Sequence, residues 1–274
     1  MPRTSAPVPA GVDPTVVSPA RVYDYLLGGK DNYAVDREAA KQIIEVLPEA
    51  PAIARANRGF LLRSVRVMAK TLGIDQFLDL GSGLPTQGSV HQSARAIHPN
   101  ARVVYVDLDP VVATHARARL SDKPDQTCVV EADITDPAAV LQDPQVRQLF
   151  DWSRPIGLTA VAVLHFMEDQ VDNPYLLLDA YRRVLPSGSA LALSHVTDVG
   201  ADPHQIERAQ GIYSKAKVGG RSAPLVVRSP EQIWALFSAG PVLLEPGLVP
   251  VEQWRPDQPQ RGLGLQVLGG VQQL

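Results

Sequence analysis

Cysteine is nearly absent from this chain of 274 residues, which contains only Cys128. An internal disulfide is therefore excluded, and the lone thiol is compatible with a reducing compartment. Its two valine neighbours predict that the thiol lies in the core, where most free cysteines are found. Long apolar runs are lacking too, since the best candidate, residues 156–167, is shorter than the ~18 residues of a membrane span. We therefore expect a cytoplasmic protein without a membrane partner.

An excess of charge of either sign is also missing, because 26 basic residues stand against 29 acidic ones. This balance argues against a nucleic-acid partner and against a polybasic membrane patch. The six histidines and the cysteine show no metal-ligand spacing, so no metal is expected. The N-terminus lacks the apolar segment of a secretory signal. Its prolines, at positions 2, 7, 9, 14 and 19, oppose helix and central strand, so we expect residues 1–17 to form a flexible arm.

Helical segments follow this arm. The first predicted helix begins at Ser18-Pro19 and ends at a glycine pair, the second is capped by Asp31 or Asn32, and the third spans about 53–72. These helices predict a helical N-terminal cap, or lid, over residues 18–56.

Strands and helices alternate in the rest of the chain, from residue 76 onward. The predicted strands are 76–80, 102–107, 127–133, 157–164 and 190–196, with one helix of about 137–149 between the third and the fourth. Apolar strands with little alternation, separated by helices, are typical of a parallel sheet covered on both faces. Two extended stretches near the end, 242–249 and 263–271, predict an antiparallel hairpin at the sheet edge. We predict an α/β fold whose core spans residues 57–274.

The first of these strands ends in a glycine turn, Asp79-Leu-Gly81-Ser-Gly83, and a helix start follows. Glycines allow a sharp turn close to a ligand, and a helix N-terminus offers backbone N–H groups to an anion. A dinucleotide site would need a third glycine where Thr86 stands, and a P-loop would need a lysine where Ser89 stands. What remains is an acid followed by two glycines. A nicotinamide-dependent oxidoreductase stays an alternative, because it would use the same strand and a similarly placed acid.

Two further acids end the next two predicted strands. Asp107 follows Gly83 by 24 residues, close to the ~20-residue spacing at which a carboxylate reaches the ribose hydroxyls of a nucleoside. The alternative role, a helix cap, suits Asp109 better. Asp133 can accept a hydrogen bond from an adenine amine while Ile134 packs on the ring; the alternative there is again a helix cap. Because the carboxyl ends of parallel strands line one crevice, these acids predict a nucleoside site.

The glycine turn and its acids resemble the class I S-adenosylmethionine-dependent methyltransferases. The resemblance covers residues 57–271 and includes Arg183-Val-Leu-Pro-Ser-Gly-Ser189, which departs from the superfamily pattern in its proline position and its second glycine. It implies a Rossmann-like seven-stranded methyltransferase fold and S-adenosylmethionine as the cofactor. By this resemblance the turn holds the methionine part, the second acid the ribose, and the third acid the adenine. The implied cofactor-binding residues are Asp79, Gly81, Ser82, Gly83, Asp107, Leu108, Asp133, Ile134 and Leu164.

A narrower resemblance lies at the N-terminus, in Arg21-Val-Tyr-Asp-Tyr-Leu-Leu-Gly-Gly-Lys-Asp-Asn-Tyr33 and in Asn57-Arg58. These stretches are similar to the signature of an actinobacterial family of S-adenosylmethionine-dependent methyltransferases that was long filed as a domain of unknown function. A segment with three tyrosines and several polar groups can fold over the cleft as a lid, which brings Tyr23 and Tyr33 to the pocket; alternatively, the tyrosines only pack. Arg58 can pair with the cofactor carboxylate, although most arginines on such helices are merely solvated.

The segment after the fourth predicted strand contains the candidate catalytic residue, His165. The superfamily places residues that face the methyl group and the acceptor here, and a neutral imidazole is an effective base near pH 7. His165 can equally well only shape the cleft. Tyr23 is a second candidate for catalysis. The motif of amide-methylating enzymes, Asn or Asp followed by two prolines and an aromatic residue, is absent, which argues against nucleobase or glutamine N-methylation.

The sequence therefore predicts an S-adenosylmethionine-dependent methyltransferase that acts on a small-molecule acceptor by in-line methyl transfer. Catalysis would rest mostly on positioning and desolvation. Two alternatives stay open: a non-catalytic protein that binds the cofactor as a sensor or within a complex, and an NAD(P)-dependent oxidoreductase. The acceptor itself has no signature in the sequence.

Overall fold

The computed structural model describes residues 12–86, 88–120, 123–237, 242–258, 262–263 and 267–274. Residues 1–11, which make up most of the predicted arm, lie outside the described residues. The rest of the arm contacts the protein, because the carbonyl oxygen of Val17 accepts a 2.9 Å hydrogen bond from the backbone N–H of Lys217. Within the described ranges, no helix is both long and apolar enough to cross a membrane.

The predicted helices and strands are present in the predicted order, and a helix and two short strands between residues 203 and 222 add to them. The helices are α1 (Pro19–Leu26), α2 (Ala34–Val46), α3 (Ala50–Leu72), α4 (Val90–Arg95), α5 (Pro110–Leu120), α6 (Pro137–Gln142), α7 (Pro144–Leu149), α8 (Pro174–Arg182), α9 (Pro203–Tyr213) and α10 (Pro230–Ala235). The strands are β1 (Gln76–Leu80), β2 (Arg102–Asp107), β3 (Thr127–Glu131), β4 (Gly157–Val161), β5 (Ala190–Val196), β6 (Lys217–Val218), β7 (Arg221–Ser222), β8 (Val242–Leu243), β9 (Val249–Pro250) and β10 (Val267–Gln273).

Helices α1, α2 and α3 form the N-terminal cap. Helix α1 has Pro19 in its first turn, where a missing N–H costs nothing. Helix α3 ends at Gly73, whose φ of +69° favours glycine. Helix α3 begins at Ala50, three residues before the predicted start, and therefore runs across the predicted boundary between cap and core at 56/57. The division into cap and core stays a prediction.

The start of α2 differs from the prediction. The residue that precedes the helix is Tyr33, not Asp31 or Asn32. The backbone N–H of Tyr33 donates a 2.9 Å hydrogen bond to the carboxylate of Asp36 in the first turn. The backbone N–H group at this helix end is thus bonded by the carboxylate of Asp36 within the helix, and not by the side chain of Asp31 or Asn32 before the helix.

The main sheet has the strand order β3-β2-β1-β4-β5-β10. Strands β1 to β5 run parallel, and β10 pairs with β5 in the antiparallel direction. Two short strands, β8 and β9, both pair with β10 and occupy the seventh position of the sheet. The prediction of a mostly parallel sheet with an antiparallel edge and added helices is confirmed, although the first half of the edge hairpin is divided into two strands.

The strand order positions the site. Strands β2 and β3 lie on one side of β1, and the chain then crosses over so that β4 lies on the other side of β1. Open α/β sheets bind ligands at such a switch point, outside the carboxyl ends of the strands. Asp79 lies near the end of β1, Asp107 ends β2, and Asp133 follows β3. The three acids therefore stand at the edge of the sheet where this rule places a ligand.

Strand β4 and the predicted helix over 137–149 are both interrupted before their predicted ends. Strand β4 ends at Val161, because Ala162 adopts a φ of +58°, and residues 164–166 form one turn of 3-10 helix. The predicted helix over 137–149 is divided into α6 and α7 at Asp143, whose carboxylate accepts from the backbone N–H of Gln145 at 2.8 Å. The 3-10 turn contains His165, the candidate catalytic residue.

Candidate active site

The glycine turn is tied to strand β2. The backbone N–H groups of Gly81 and Ser82 both donate to the carbonyl oxygen of Val106, at 2.9 and 3.1 Å. The N–H of Gly83 donates to the carboxylate of Asp107 at 2.8 Å. These three N–H groups are therefore not free to hold an anion, which corrects the prediction for this part of the turn. The hydroxyl of Ser82 is buried and has no hydrogen-bond partner among the described residues.

Gly81 also brings the backbone close to the segment after β4. Its φ is +65°, and a Cβ atom there would lie 2.3 Å from the side chain of Val163. Gly83 has a similar φ of +62°, yet a Cβ atom there would meet nothing within 4 Å. Gly83 thus faces open space, which fits the approach of a ligand to this turn.

Asp79 lies buried below the turn. Its carboxylate accepts a 2.5 Å hydrogen bond from the hydroxyl of Thr159. Burial raises the pKa of Asp79 to about 6, while the Thr159 bond and the charge of Arg58 act in the opposite direction. Arg58, on α3, donates to the carbonyl oxygen of Gly88 at 2.8 Å. Arg58 and Asp79 therefore face the same side of the cleft, the side of the glycine turn.

Asp107 joins the turn to the loop after β2. One carboxylate oxygen accepts from Gly83 and the other accepts from the backbone N–H of Asp109, at 3.0 Å. Burial raises the pKa of Asp107 to about 7, these two hydrogen bonds act in the opposite direction, and the charges of Asp109 and Asp79 add to the rise. Two backbone donors thus fix the orientation of this carboxylate, and Leu108 beside it also lines the cleft.

The carboxylate of Asp133, predicted to bind the adenine amine, already accepts three hydrogen bonds within the protein. Its carboxylate accepts from the backbone N–H and the hydroxyl of Thr135, at 2.9 and 2.7 Å, and from the guanidinium of Arg221. Burial would raise the pKa of Asp133, but the bonds from Thr135 and Arg221 outweigh burial and hold the pKa below its ordinary value. Arg221 also donates to Asp172. Both oxygens of Asp133 are thus already bonded, and its neighbour Ile134 lines the cleft.

Arg221 reaches Asp133 from a small hairpin that crosses the cleft. Strands β6 and β7 form this hairpin, which we term the 217–222 hairpin, and its two turn residues, Gly219 and Gly220, both have positive φ, as a type I′ turn requires. Gly219 lies against Leu108, since a Cβ atom there would be 2.4 Å from that side chain. The hairpin therefore contacts both the loop after the second acid and the third acid itself.

A buried ion cluster fixes the cap to the loop after β2. Arg21 pairs with Asp36 at 2.8 Å and with Asp109 at 3.4 Å. Ser18 adds a 2.6 Å bond from its hydroxyl to Asp109 and a 3.0 Å bond from its backbone N–H to Asp36. Because Asp109 also donates to Asp107, the cap is connected to the second acid through one intervening residue.

A second connection joins the cap to the glycine turn. The hydroxyl of Thr86 donates to the buried carboxylate of Asp24, which also accepts from the side chain of Asn32 at 2.7 Å. Thr86 stands where a dinucleotide site would have its third glycine. Threonine at this position therefore bonds the turn to the cap.

Two of the predicted site residues do not line the cleft in the described structure. Tyr33 packs with Leu84, Val111 and Val112, and its ring lies 5.1 Å from the guanidinium carbon of Arg21. Leu164 is fully buried in the core under the sheet. All the other predicted site residues line one continuous cleft.

Tyr23 lines the cleft with its hydroxyl already bonded. This hydroxyl donates to the carbonyl oxygen of Ala54 at 2.9 Å and accepts from the side-chain amide of Asn57 at 3.1 Å. Asn57 in turn accepts a 2.6 Å bond from Ser194 on β5. Burial raises the pKa of Tyr23. The network thus holds α1 and α3 against the sheet, and the tyrosine is a weak acid.

His165 lies at the wall of the cleft with 7 % of its surface exposed. Its ring packs edge-on against Phe166, with centroids 4.5 Å apart, and against His195, at 5.6 Å. Burial, followed by the neighbouring His195 and Arg228, holds the pKa of His165 well below its ordinary value, so the imidazole is neutral. Its Nδ1 has no hydrogen-bond partner among the described residues.

No sequence motif points to Arg228, which organises the segment around His165. This buried guanidinium donates to the carbonyl oxygens of Leu164 and Met167, at 3.2 and 2.8 Å, and to the carboxylate of Asp169. It also lies 2.5 Å from Nε2 of His195, whose Nδ1 is 2.7 Å from the carbonyl oxygen of Val196. An isolated arginine before a short helix carries no motif, so its role follows only from the fold.

The cleft has two chemically different halves. One half contains the glycine turn and the three acids, and the other is lined by the cap helices and α9. The volume of the cleft, including the part that is open to solvent, is roughly 1690 Å³. The oriented Asp107 carboxylate, the unpartnered Ser82 hydroxyl and the open face of Gly83 fit a nucleoside with a polar tail.

The strand order, the antiparallel edge and the acid-lined crevice define a Rossmann-like methyltransferase. The chain belongs to the S-adenosyl methyltransferase family, whose family model matches residues 5–272. The predictions of this family, of the fold and of S-adenosylmethionine as the cofactor are thereby confirmed. The family assignment gives no support to a nicotinamide-dependent oxidoreductase.

Two solved structures are similar to this chain over nearly their whole length. A candidate methyltransferase from Thermobifida fusca YX is 39% identical, covering 98% of this chain and 99% of its own, with a TM-score of 0.88. A DUF574 family protein from Streptomyces avermitilis MA-4680 is 38% identical, covering 94% of this chain and 97% of its own, with a TM-score of 0.86.

A more distant structure shares the fold alone. PigF, solved with S-adenosylhomocysteine, is 13% identical, covers 92% of this chain and 62% of its own, and has a TM-score of 0.50. No curated protein matches this chain.

Proposed function

We propose that this protein transfers the methyl group of S-adenosylmethionine to a small-molecule acceptor. One observation supports the proposal most directly: the oriented carboxylate of Asp107 and the apolar cap helices line the same cleft. A nucleoside held at the acids and an acceptor held under the cap would then meet inside one enclosed space. Such a space excludes water and orients two reactants, which are the main needs of a methyl transfer.

The residues of the turn half would bind the cofactor, which when bound supplies an electrophilic methyl group. Asp107 accepts from the ribose hydroxyls, since a carboxylate can accept two bonds together. Arg58 and the hydroxyl of Ser82 bind the carboxylate of the methionine part, in place of the backbone N–H groups that the turn uses internally. Ile134 and Leu108 pack on the adenine and the ribose.

Neither catalytic candidate is well suited to remove a proton near neutral pH. Burial keeps the imidazole of His165 neutral but also weakly basic, because its pKa lies well below the ordinary value. The hydroxyl of Tyr23 is committed to Ala54 and Asn57. We assign an orienting role to His165 and a structural role to Tyr23. In this proposal, catalysis rests on positioning rather than on a strong base.

Calorimetric titration with S-adenosylhomocysteine tests the cofactor site. We expect Asp107→Asn to weaken binding about 10- to 150-fold, the cost of losing hydrogen bonds to a charged group. Asp257→Asn is the matched control, because Asp257 is an exposed carboxylate, 80% accessible and remote in sequence from the glycine turn. Equal affinity in wild type and Asp107→Asn would contradict the assignment of the ribose site.

Release of S-adenosylhomocysteine in the presence of small-molecule acceptors tests the reaction. Turnover that depends on an added acceptor supports a methyltransferase. Tight cofactor binding without turnover on any acceptor of a broad panel would favour the cofactor-binding sensor, and tighter binding of NAD(P) than of S-adenosylmethionine would favour an oxidoreductase. The cytoplasmic location and the lack of a nucleic-acid partner stay predictions.

A further inference from the structure

The cap half of the cleft is an apolar chamber. We define this cap chamber by six residues from the cap helices, the 3-10 turn and the segment after β7: Leu26, Ile43, Leu47, Ile53, Phe166 and Leu225. Five of these six belong to, or pack on, an apolar cluster separate from the two clusters of the sheet. The cluster therefore encloses a space between its side chains instead of closing completely, as a protein interior normally does.

The chamber wall carries no charge among the described residues that line the cleft. Six charged residues line the cleft as a whole, and none of them belongs to the chamber: Arg58, Asp79, Asp107, Asp133, Asp172 and Arg221. The first three stand at the glycine turn and the loop after β2. The other three pair with one another at the 217–222 hairpin. A charged molecule in the chamber would lose its hydration without gaining an opposite charge.

His165 is a polar residue beside the chamber, on the wall of the same cleft. Its neutral ring lines the cleft, is almost completely buried, and lacks a partner at Nδ1 within the described part of the chain. The nearby hydroxyl of Tyr23, by contrast, already makes two bonds. A neutral imidazole donates from one nitrogen and accepts at the other, and a hydroxyl both donates and accepts. A single hydroxyl on a bound molecule therefore suits His165 in either tautomer.

Aromatic side chains cover this end of the chamber. The ring of Phe166 lies between those of His165 and Tyr213, with centroid distances of 4.5 and 5.3 Å. Tyr213 also lines the cleft. Aromatic rings pack favourably edge-on and offset against further rings. The wall thus suits a flat ring better than a flexible chain.

We infer that the methyl acceptor is a neutral, mainly apolar aromatic molecule with a hydroxyl group, bound in the cap chamber with that hydroxyl on His165. This inference rests on the proposed function, because it names the substrate class of the same site. It concerns binding by the residues of this chain and can be measured without methyl transfer.

Four probes that share the naphthalene ring system distinguish the effect of charge on affinity from the effect of a hydroxyl group. They are 2-naphthol, naphthalene, 2-naphthoate and protonated 2-naphthylmethylamine. Equilibrium dialysis against protein saturated with S-adenosylhomocysteine gives the affinity of each. We expect 2-naphthol to bind tightest, both ions to bind at least about tenfold more weakly because their charges stay unpaired, and naphthalene to bind about 2- to 12-fold more weakly for lack of one hydrogen bond. Binding of 2-naphthoate or of the amine as tight as that of 2-naphthol would overturn the inference.

Three variants test the location. Leu225→Lys places a cation at the half-buried edge of the chamber, so it should tighten 2-naphthoate binding and weaken 2-naphthol binding. Leu176→Lys is the matched control, because Leu176 is 63% exposed on α8 and does not line the cleft. Ala209→Trp should fill the chamber and weaken all four probes. His165→Phe should reduce the affinity for 2-naphthol to that for naphthalene.

The affinity of each variant for S-adenosylhomocysteine reports whether its fold and cofactor site are intact. If wild type binds S-adenosylhomocysteine but none of the probes, the inference fails and the proposed function stands. If wild type binds the probes in the expected order but not S-adenosylhomocysteine, the proposed function fails and the chamber assignment stands. Equal effects of Leu225→Lys and Leu176→Lys on the probes would place the binding site elsewhere.

Discussion

Gly81 stands at the closest backbone approach in the glycine turn. A side chain there meets two separate obstacles, a positive φ and the side chain of Val163. Gly83, two residues later, has nearly the same φ but open space beside it. A side chain at Gly83 would therefore cause backbone strain alone, whereas a side chain at Gly81 would cause both strain and steric overlap. The sequence does not distinguish the two glycines.

We predict that Gly81→Ala destabilises the cofactor-free protein more than Gly83→Ala does. Both variants place alanine at a positive φ, and only the first adds overpacking against Val163, which typically costs about 1–3 kcal/mol. Urea unfolding of both variants without cofactor measures the difference in the free energy of unfolding. Equal losses in the two variants would show that Val163 moves aside at no cost.

At this scale, the sequence predicted which residues line the cleft better than it predicted their partners. Asp107 follows from its spacing to Gly83, because the turn after β1 and the end of the neighbouring strand β2 lie side by side in a regular fold. The partner of Asp133 could not be found, because Arg221 lies 88 residues further along the chain. Arg228 was missed for the same reason: its bonds to Leu164 and Met167 span 64 and 61 residues.

The 217–222 hairpin is the element that covers the predicted adenine side of the cleft. It contacts Leu108 through Gly219 and Asp133 through Arg221. Since both loops are predicted to contact the adenosine part of the cofactor, the hairpin can retain the cofactor once it is bound.

We expect Arg221→Ala to accelerate the dissociation of S-adenosylhomocysteine several-fold, because the hairpin loses its bond to Asp133. Stopped-flow displacement measures the rate. Lys217→Ala is the matched control, since Lys217 has an exposed side chain in the same hairpin and is outside the cleft lining. Slower dissociation in Arg221→Ala would mean that Arg221 competes with adenine for Asp133 instead of supporting the site.

The order and type of most elements follow from periodicity, but their ends do not, and neither do α9 and the 217–222 hairpin. The helix over 137–149 is apolar on one face throughout, yet Asp143 before a proline divides it. Strand β4 was predicted to continue to residue 164 because its residues stay apolar, whereas Ala162 already turns the chain into the segment of His165. An apolar pattern indicates burial, and both β4 and the turn after it are buried. The pattern therefore does not show where the strand ends.

Buried ionisable groups give the whole molecule a characteristic dependence on pH. Burial raises the pKa of Asp107 to about 7 and that of Asp79 to about 6, from 3.8 in each case. An acid with a raised pKa holds a proton in the folded chain that the unfolded chain has released. Its contribution to stability is therefore largest below pH 4 and is lost as the pH rises towards the folded pKa. His195, whose pKa burial lowers to about 3, acts in the opposite direction between pH 3 and 6.5. The pKa of His165 is also lowered by burial, so His165 acts in the same direction as His195.

Comparison of wild type with Asp107→Asn isolates the contribution of one carboxyl. We predict that the free energy of unfolding of wild type, relative to that of the variant, falls between pH 4 and 7 by up to about 1.4 kcal/mol per pH unit. Chemical unfolding at several pH values without cofactor measures this slope. A constant difference between the two proteins would show that Asp107 is ionised throughout this range.

The ion cluster of Arg21, Asp36 and Asp109 also has a consequence for folding during synthesis on the ribosome. Arg21 precedes Asp109 by 88 residues, so a ribosome that adds ~5–20 residues per second completes the cluster roughly 4 to 18 s after it has made the first member. Until Asp109 has been made, Arg21 and Asp36 lack their contact with the loop after β2. The ion cluster is therefore complete only after both β1 and β2 have been synthesised.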